Sequence, residues 1–322
     1  MHGLRPTFLL PVMFCFALGP QALAQQKSEG FRAEKPVKII VPFSPGGTVD
    51  LAARVLAKAA QEQLGQPVVV ENKPGASGAI AGEFVARAPA DGYTLQMASF
   101  DTHSIYPHVY PKSRYKAQDF RAVTAVAKSQ LVLAGRPGLE AKTLPELIAL
   151  SRKRKLSFAS WGKATGSSLT VHAFTREAGL EPFLEVPYQG SAPAVLAVAG
   201  GQVDLIAMGV PVARSHPELT FFGVIASERS PHLPHVPTLR EQNIDVVAEG
   251  WLGLVAPPGT PSSVVEPLSK SMNAAVADPE TQKAIRSASL DSFILTAPQF
   301  QAFFDEQSNR WEKIVKAAGI AE

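Results

Sequence analysis

Between Val37 and Ile206 the chain alternates short β-rich runs with longer stretches of helical periodicity. That alternation is the mark of βαβ units, whose strands lie parallel with helices on the sheet faces, so the fold class is α/β. Val37–Val41 reads as a buried strand, and the helix after it carries Leu51, Val55, Leu56, Ala59 and Leu64 on one face. Val68–Val70 reads as the next parallel strand, Asn72–Gly78 as a Gly/Pro loop and Ala79–Arg87 as a second helix. Tyr93–Ala98 is a third strand that runs into the polar segment Ser99–His103.

A second series opens near Leu131–Leu133, where Gly135-Arg136-Pro137-Gly138 breaks the pattern and Thr143-Leu144-Pro145-Glu146 has the form of a capping box. Strands at Leu156–Ala159, Leu184–Val186, Leu205–Met208 and Phe221–Ile225 are separated by helices near Leu169–Ala178 and Ala192–Ala199. From Gly250 a single strand, Trp251–Val255, is followed by helices alone. The last of these places Phe300, Phe303, Phe304, Trp311, Ile314 and Val315 on one stripe suited to core packing. Helices without strands of their own predict a return to cover the first lobe. Lobe 1 is therefore expected at residues 25–128 and 249–322 and lobe 2 at 129–248, with a hinge near 126–133 and 246–252. A chain of 322 residues also exceeds what one hydrophobic core usually serves.

His2 and Arg5 lead into an apolar run, Thr7–Leu18, closed by Ala22-Leu23-Ala24: the pattern of a secretory signal peptide cleaved after Ala24. Pro11 and Gly19-Pro20 keep that run short of the ~18 apolar residues a membrane anchor needs. The one cysteine, Cys15, leaves with the leader, so disulfides, thiolate metal sites and a cysteine nucleophile are excluded from the mature chain. Loss of Arg5 takes the basic count from 31 to 30 against 28 acids. This near balance argues against nucleic acid as a partner, because the densest basic run, Arg152–Lys155, is one short cluster that fits a solvated helix C-terminus.

Phe43-Ser44-Pro45-Gly46-Gly47-Thr48 joins a buried strand to a helix. Glycines there expose backbone N–H groups at an electropositive helix N-terminus, where anions are held well. The motif is neither a phosphate loop nor a dinucleotide fingerprint, and a plain tight turn with Thr48 or Asp50 capping the helix is its alternative reading. A matching loop, Ser160–Ser168, again lies between a strand and a helix, and Tyr188-Gln189-Gly190-Ser191 precedes the next helix. All three fall at strand ends, where open α/β sheets bind ligands.

Enzyme readings lack their partners. No Gly-x-Ser-x-Gly elbow is present, and Gly75-Ala76-Ser77-Gly78 has the wrong spacing for one. His216, His232 and His235 sit in a Pro-punctuated segment without a nearby acidic pair, which reads as loop residues and not a metal site. A hydrolase would need a nucleophile–base pair, and only Ser44 with His103 offers one.

Six blocks in order carry a resemblance. They are Val41-Pro42-Phe43 with Pro45-Gly46-Gly47 and Asp50; Asn72-Lys73-Pro74-Gly75-Ala76; Asp91-Gly92-Tyr93-Thr94-Leu95; Val186-Pro187-Tyr188 with Gly190 and Ala192-Pro193-Ala194; Gly200-Gly201-Gln202-Val203-Asp204; and Gly250-Trp251 with Ala256-Pro257 and Gly259-Thr260-Pro261. The chain closely resembles the Bug family of solute receptors associated with tripartite tricarboxylate transporters. The resemblance implies a two-lobed, flytrap-like periplasmic-binding-protein fold of type II, each lobe a mainly parallel sheet flanked by helices. It also implies a periplasmic location, a small organic acid or amino acid as ligand, no cofactor, no catalysis, and a membrane permease as partner. The receptor is expected to act as a monomer.

Carried over position by position, the ligand loops fall on Ser44, Gly46, Gly47 and Thr48, on Ser99, Asp101 and His103, and on Trp161, Gly162, Lys163, Thr165 and Ser168. Tyr188, Gly190 and Ala192 complete them, with Asp204 at the cleft edge. Departures lie mostly in the second lobe. Where many relatives read Gly-x-Gly-Ser or Thr and then His, this chain has Ala164, Thr165 and Ser168, and Trp161 and Lys163 replace smaller neutral residues. These predict an altered pocket, with Lys163 near an anion or Trp161 stacked on a ring. Asp101 would repel a carboxylate unless the ligand carries an ammonium; the alternative is that it caps a helix starting near Thr102. None of the matched loops contains an arginine, so backbone amides and hydroxyls are left to hold the ligand. A transport receptor is the reading these features favour, ahead of a sensor acting through a two-component partner and a hydrolase.

Overall fold

The computed structural model describes residues 2–3 and 32–318. The leader, its cleavage after Ala24 and Cys15 therefore lie outside the described residues. The first series folds as β1 (Val37–Val41), α1 (Thr48–Leu64), β2 (Val68–Asn72), α2 (Ala79–Ala86) and β3 (Thr94–Ser99). Val37 of β1 lies opposite Val68 of β2 and Lys38 opposite Thr94 of β3, both pairings parallel. A π-helical turn, Asp101–Ile105, leads into the short α3 (Tyr106–Val109) and then into β4 (Arg121–Gly135).

The second series is α4 (Leu144–Lys153), β5 (Ser157–Ser160), α5 (Gly166–Glu177), β6 (Leu184–Pro187), α6 (Ser191–Ala199), β7 (Leu205–Gly209), α7 (Val210–Ala213) and β8 (Thr220–Ile225). Thr143 caps α4 by accepting from the Glu146 N–H, while the Glu146 carboxylate reaches back to the Lys142 N–H. The chain ends with β9 (Glu249–Ala256), α8 (Ser262–Ala277), α9 (Pro279–Ser287), β10 (Asp291–Ser292) and α10 (Ala297–Ala318).

The sheets are mixed, because β4 and β9 are antiparallel to their neighbours. β9 pairs with β3 and with Arg121–Gln130 of β4, while Leu131–Gly135 of β4 pairs with β7 and β8 in the other sheet. One strand thus belongs to both sheets and changes allegiance between Gln130 and Leu131. Of β4, only Leu131–Leu133 reads as strand in the sequence, and its first two-thirds does not. Ala122, Ala125 and Ala127 carry little intrinsic strand preference, so that signal is weak.

Tertiary packing explains those small residues. Gly253 on β9 lets the Phe300 ring of α10 lie directly on the sheet, and Trp251 meets Phe300 and Phe304 edge-on with centroids 5.6 and 5.7 Å apart. Phe300, Phe304, Trp311 and Val315 are buried, whereas Ile314 is exposed on the margin of the stripe. Each fully buried ring contributes about 1.5–3 kcal/mol, which fixes the C-terminal helix on the first sheet.

Candidate functional site

The turn from β1 to α1 is shaped from within by Asp50. Its buried carboxylate accepts from the Gly46 N–H at 2.9 Å, from Arg54 Nε and Nη2 at 2.9 and 3.0 Å, and from Asn72 Nδ2 at 2.9 Å. Burial alone would raise its pKa, but these bonds outweigh burial and hold it below the usual carboxylate range. Asp50 thus folds back on Gly46, and Thr48 Oγ1 has no partner, so neither residue caps α1. The first backbone bond of the helix runs from Leu51 N to Gly47 O, which leaves the Thr48 and Val49 N–H groups facing out of the helix end.

Loops far away in sequence close over this end. Ser44 donates through its N–H and Oγ to the Gln189 carbonyl at 3.1 and 2.9 Å. Gly47 approaches Ser191 so closely that a Cβ there would lie 2.7 Å from Ser191 Oγ, and Gly190 sits against the Ser44 backbone with Ala192 beside Gly46. Further out, Ser77 packs on Gly162; Ser77 belongs to a left-handed run in which Gly75, Ala76, Ser77 and Gly78 all have positive φ.

Asp101 makes a second polar link across the cleft. Its Oδ1 accepts the Gly166 N–H at 2.6 Å and its Oδ2 accepts Trp161 Nε1 at 3.2 Å. The helix it caps is therefore α5, more than sixty residues on, and not the turn that it begins. Burial pushes its pKa up to about 6, opposed by the Gly166 and Trp161 bonds and by nearby Ser99. Phe100 is clamped beside it between Gly166, Gly250 and Trp311.

An inner cavity of about 30 Å³ lies between Thr48 and Val49 on one side and Asp101, Trp161 and Ser191 on the other, floored by Leu131 and Leu252 of the crossing strands. That is room for the centres of one or two waters. Thr48 Oγ1 lines it without a partner, and the fully buried Ser99 lines it beside Asp101. No arginine or lysine is among its lining residues. An outer cavity of about 270 Å³ follows, bordered by Ser77, Trp161, Gly162, Tyr188 and Gln189.

The structure thus brings together Ser44, Gly46, Gly47, Thr48, Ser99, Asp101, Trp161, Gly162, Tyr188, Gly190 and Ala192. Five other expected residues lie apart. His103 is buried inside the first lobe, its Nδ1 2.9 Å from Thr102 Oγ1 and its ring against Phe120 and Phe304; burial pushes its pKa down to about 3. No hydrogen bond joins it to Ser44, so the Ser–His pair that a hydrolase reading needs in the cleft is not assembled. Thr165 bonds inward to the Gly162 carbonyl, and Ser168 is buried against Glu185, which also takes Ser160. Lys163 is exposed on the outer surface of its loop.

Asp204 is not at the cleft edge. It lies just before β7, at the end opposite Gly209, and binds Arg154 at 3.0 and 3.1 Å, Arg136 at 3.2 Å and the Ser157 N–H at 3.1 Å. A carboxylate with so many donors of its own ties strand ends together. The sequence gives no sign of Leu131 and Leu252 as lining residues, since apolar strand side chains carry no local chemical signal, whereas Phe43 and Phe100 lie in segments already marked. Ser77 and Ser191 stood in loops already marked.

The sequence is 32% identical over 321 residues to Protein BugT of Bordetella pertussis, covering 97% of this chain and 98% of that protein. The structure matches the periplasmic binding protein BugD with a TM-score of 0.86 at 31% identity, over 90% of this chain and 99% of that one. It also matches an R. palustris protein solved with adipate, with a TM-score of 0.84 at 30% identity, over 89% and 98% of the two chains. The architecture is the α/β, two-lobed fold of periplasmic binding proteins. Residues 52–320 match the tripartite tricarboxylate transporter family receptor, and the chain belongs to that receptor family.

Proposed function

We propose that this receptor captures a small organic carboxylate between its lobes in the periplasm and delivers it to the membrane permease of a tripartite tricarboxylate-type transporter. The observation that carries the reading is the open N-terminus of α1, whose Thr48 and Val49 N–H groups and unpartnered Thr48 hydroxyl line a closed cleft. Such a set of neutral donors holds an oxygen anion without an arginine. The solved relative with adipate supports the same ligand chemistry.

In this reading Ser44, Gly46, Gly47, Thr48, Ser99, Asp101, Trp161, Gly162, Tyr188, Gly190 and Ala192 form the binding surface. Residues 25–128 and 249–322 make one lobe and 129–248 the other, hinged where β4 passes from one sheet to the other and where the chain returns into β9. The mature receptor is a monomer released by cleavage after Ala24, and its role is binding without catalysis. A thermal-shift screen of the mature protein against mono-, di- and tricarboxylates, amino acids and neutral analogues tests it. A specific acid should raise the melting temperature by mass action. Response to a neutral compound alone, with every acid inert, would end the carboxylate reading.

A further inference from the structure

We propose that the ligand is a small monocarboxylate with an apolar body, because the chain's own Asp101 occupies the anion position at the N-terminus of α5. The inference rests on the carboxylate-receptor reading and narrows its ligand class.

The N-termini of α1, α5 and α6 all reach the cleft; α6 closes against α1 at Ser191 and Gly47, and the α1 and α5 ends are not equivalent. At α5 the Gly166 N–H is already bound to Asp101 Oδ1 at 2.6 Å, and Trp161 Nε1 takes the second oxygen. Asp101 is only 3% exposed, so this carboxylate is part of the wall and not a mobile side chain. At α1 no side chain caps the helix, and Thr48 Oγ1 lacks a partner. The space between is bounded by Phe43, Val49, Phe100, Leu131 and Leu252. One carboxylate thus finds donors at α1, while a second carboxylate in the same space meets Asp101, and no arginine or lysine is among the lining residues to offset it. Like charges at such range in a water-poor site repel strongly. An ammonium is also poorly served, since both Asp101 oxygens are engaged by lobe 2 donors.

The test is calorimetric titration of the mature protein, near pH 7.5, with butanoate, pentanoate and hexanoate, each matched by the dicarboxylate and the 2-amino acid of equal chain length. The best monocarboxylate should bind at least tenfold tighter than its dicarboxylate and its amino acid. In Asp101→Asn the preference over the dicarboxylate should shrink to less than threefold. A dicarboxylate or amino acid that binds as well as the monocarboxylate overturns the inference while leaving the carboxylate receptor intact. Binding of no acid at all, beside a neutral ligand that does bind, overturns both. An unchanged preference in Asp101→Asn removes the role given to Asp101.

Discussion

Replacing Gly166 by alanine separates closure of the cleft from folding of either lobe. Gly166 is the first residue of α5, and a helical glycine costs its helix up to about 1 kcal/mol relative to alanine, so Gly166→Ala should leave the second lobe as stable or slightly more so. Across the cleft the new methyl would overlap the edge of the Phe100 ring. That ring cannot retreat, since Trp311 lies 5.9 Å away centroid to centroid and Gly250 packs on its other edge. Overpacking of this kind costs about 1–3 kcal/mol and falls only on the closed form, where it also strains the Gly166 to Asp101 bond. Ligand affinity should therefore drop by about 5- to 150-fold. Gly47→Ala is the graded comparison. Its backbone, φ −81° and ψ 168°, suits any residue, and its Cβ meets only the rotatable Ser191 hydroxyl, so its effect should be smaller. The assay is calorimetry with the acid that gives the largest thermal shift, beside small-angle scattering with and without that acid. Gly166→Ala that binds as tightly as wild type and compacts normally would refute the closure argument.

His103 should make the protein acid-sensitive. Its folded pKa of about 3 lies below the unfolded 6.5, so its contribution is complete above pH 6.5 and is lost as the pH falls towards 3. Between pH 7.5 and 5 that loss is about 2 kcal/mol, and urea titrations at both pH values should show it missing in His103→Phe. Asp204→Asn should lower stability by about 2 kcal/mol, less than the 3–5 kcal/mol of a fully buried pair because Arg154 is 36% exposed, with ligand affinity unchanged. A change in affinity there would return Asp204 to the binding site. Asp50→Ala should both weaken ligand binding and cost about 2 kcal/mol, because it frees the Gly46 N–H and leaves Arg54 without its carboxylate; unfolding curves and calorimetry on the same sample check both.

Local chemistry explains what was legible in the sequence. The α/β alternation, the capped start of α4 and the Gly-rich turns at strand ends follow from periodicity and turn residues, which act within a few positions of one another. The Pro42–Asp50 turn and the Gly162 and Gly190 loops could thus be named as cleft loops before any contact was known. The long β4 could not, because Ala122–Ala127 takes strand form only between β9 and the aromatic face of α10. Nor could the destinations of individual carboxylates. Asp101, Asp204 and Asp50 look alike in a polar loop, yet one spans the cleft to α5, one ties strand ends through two arginines, and one folds its own turn. A charge buried at a fold's interior goes wherever enough donors converge. Those donors came from segments up to sixty-eight residues apart, so only the closed tertiary structure decided which of the marked residues face a ligand.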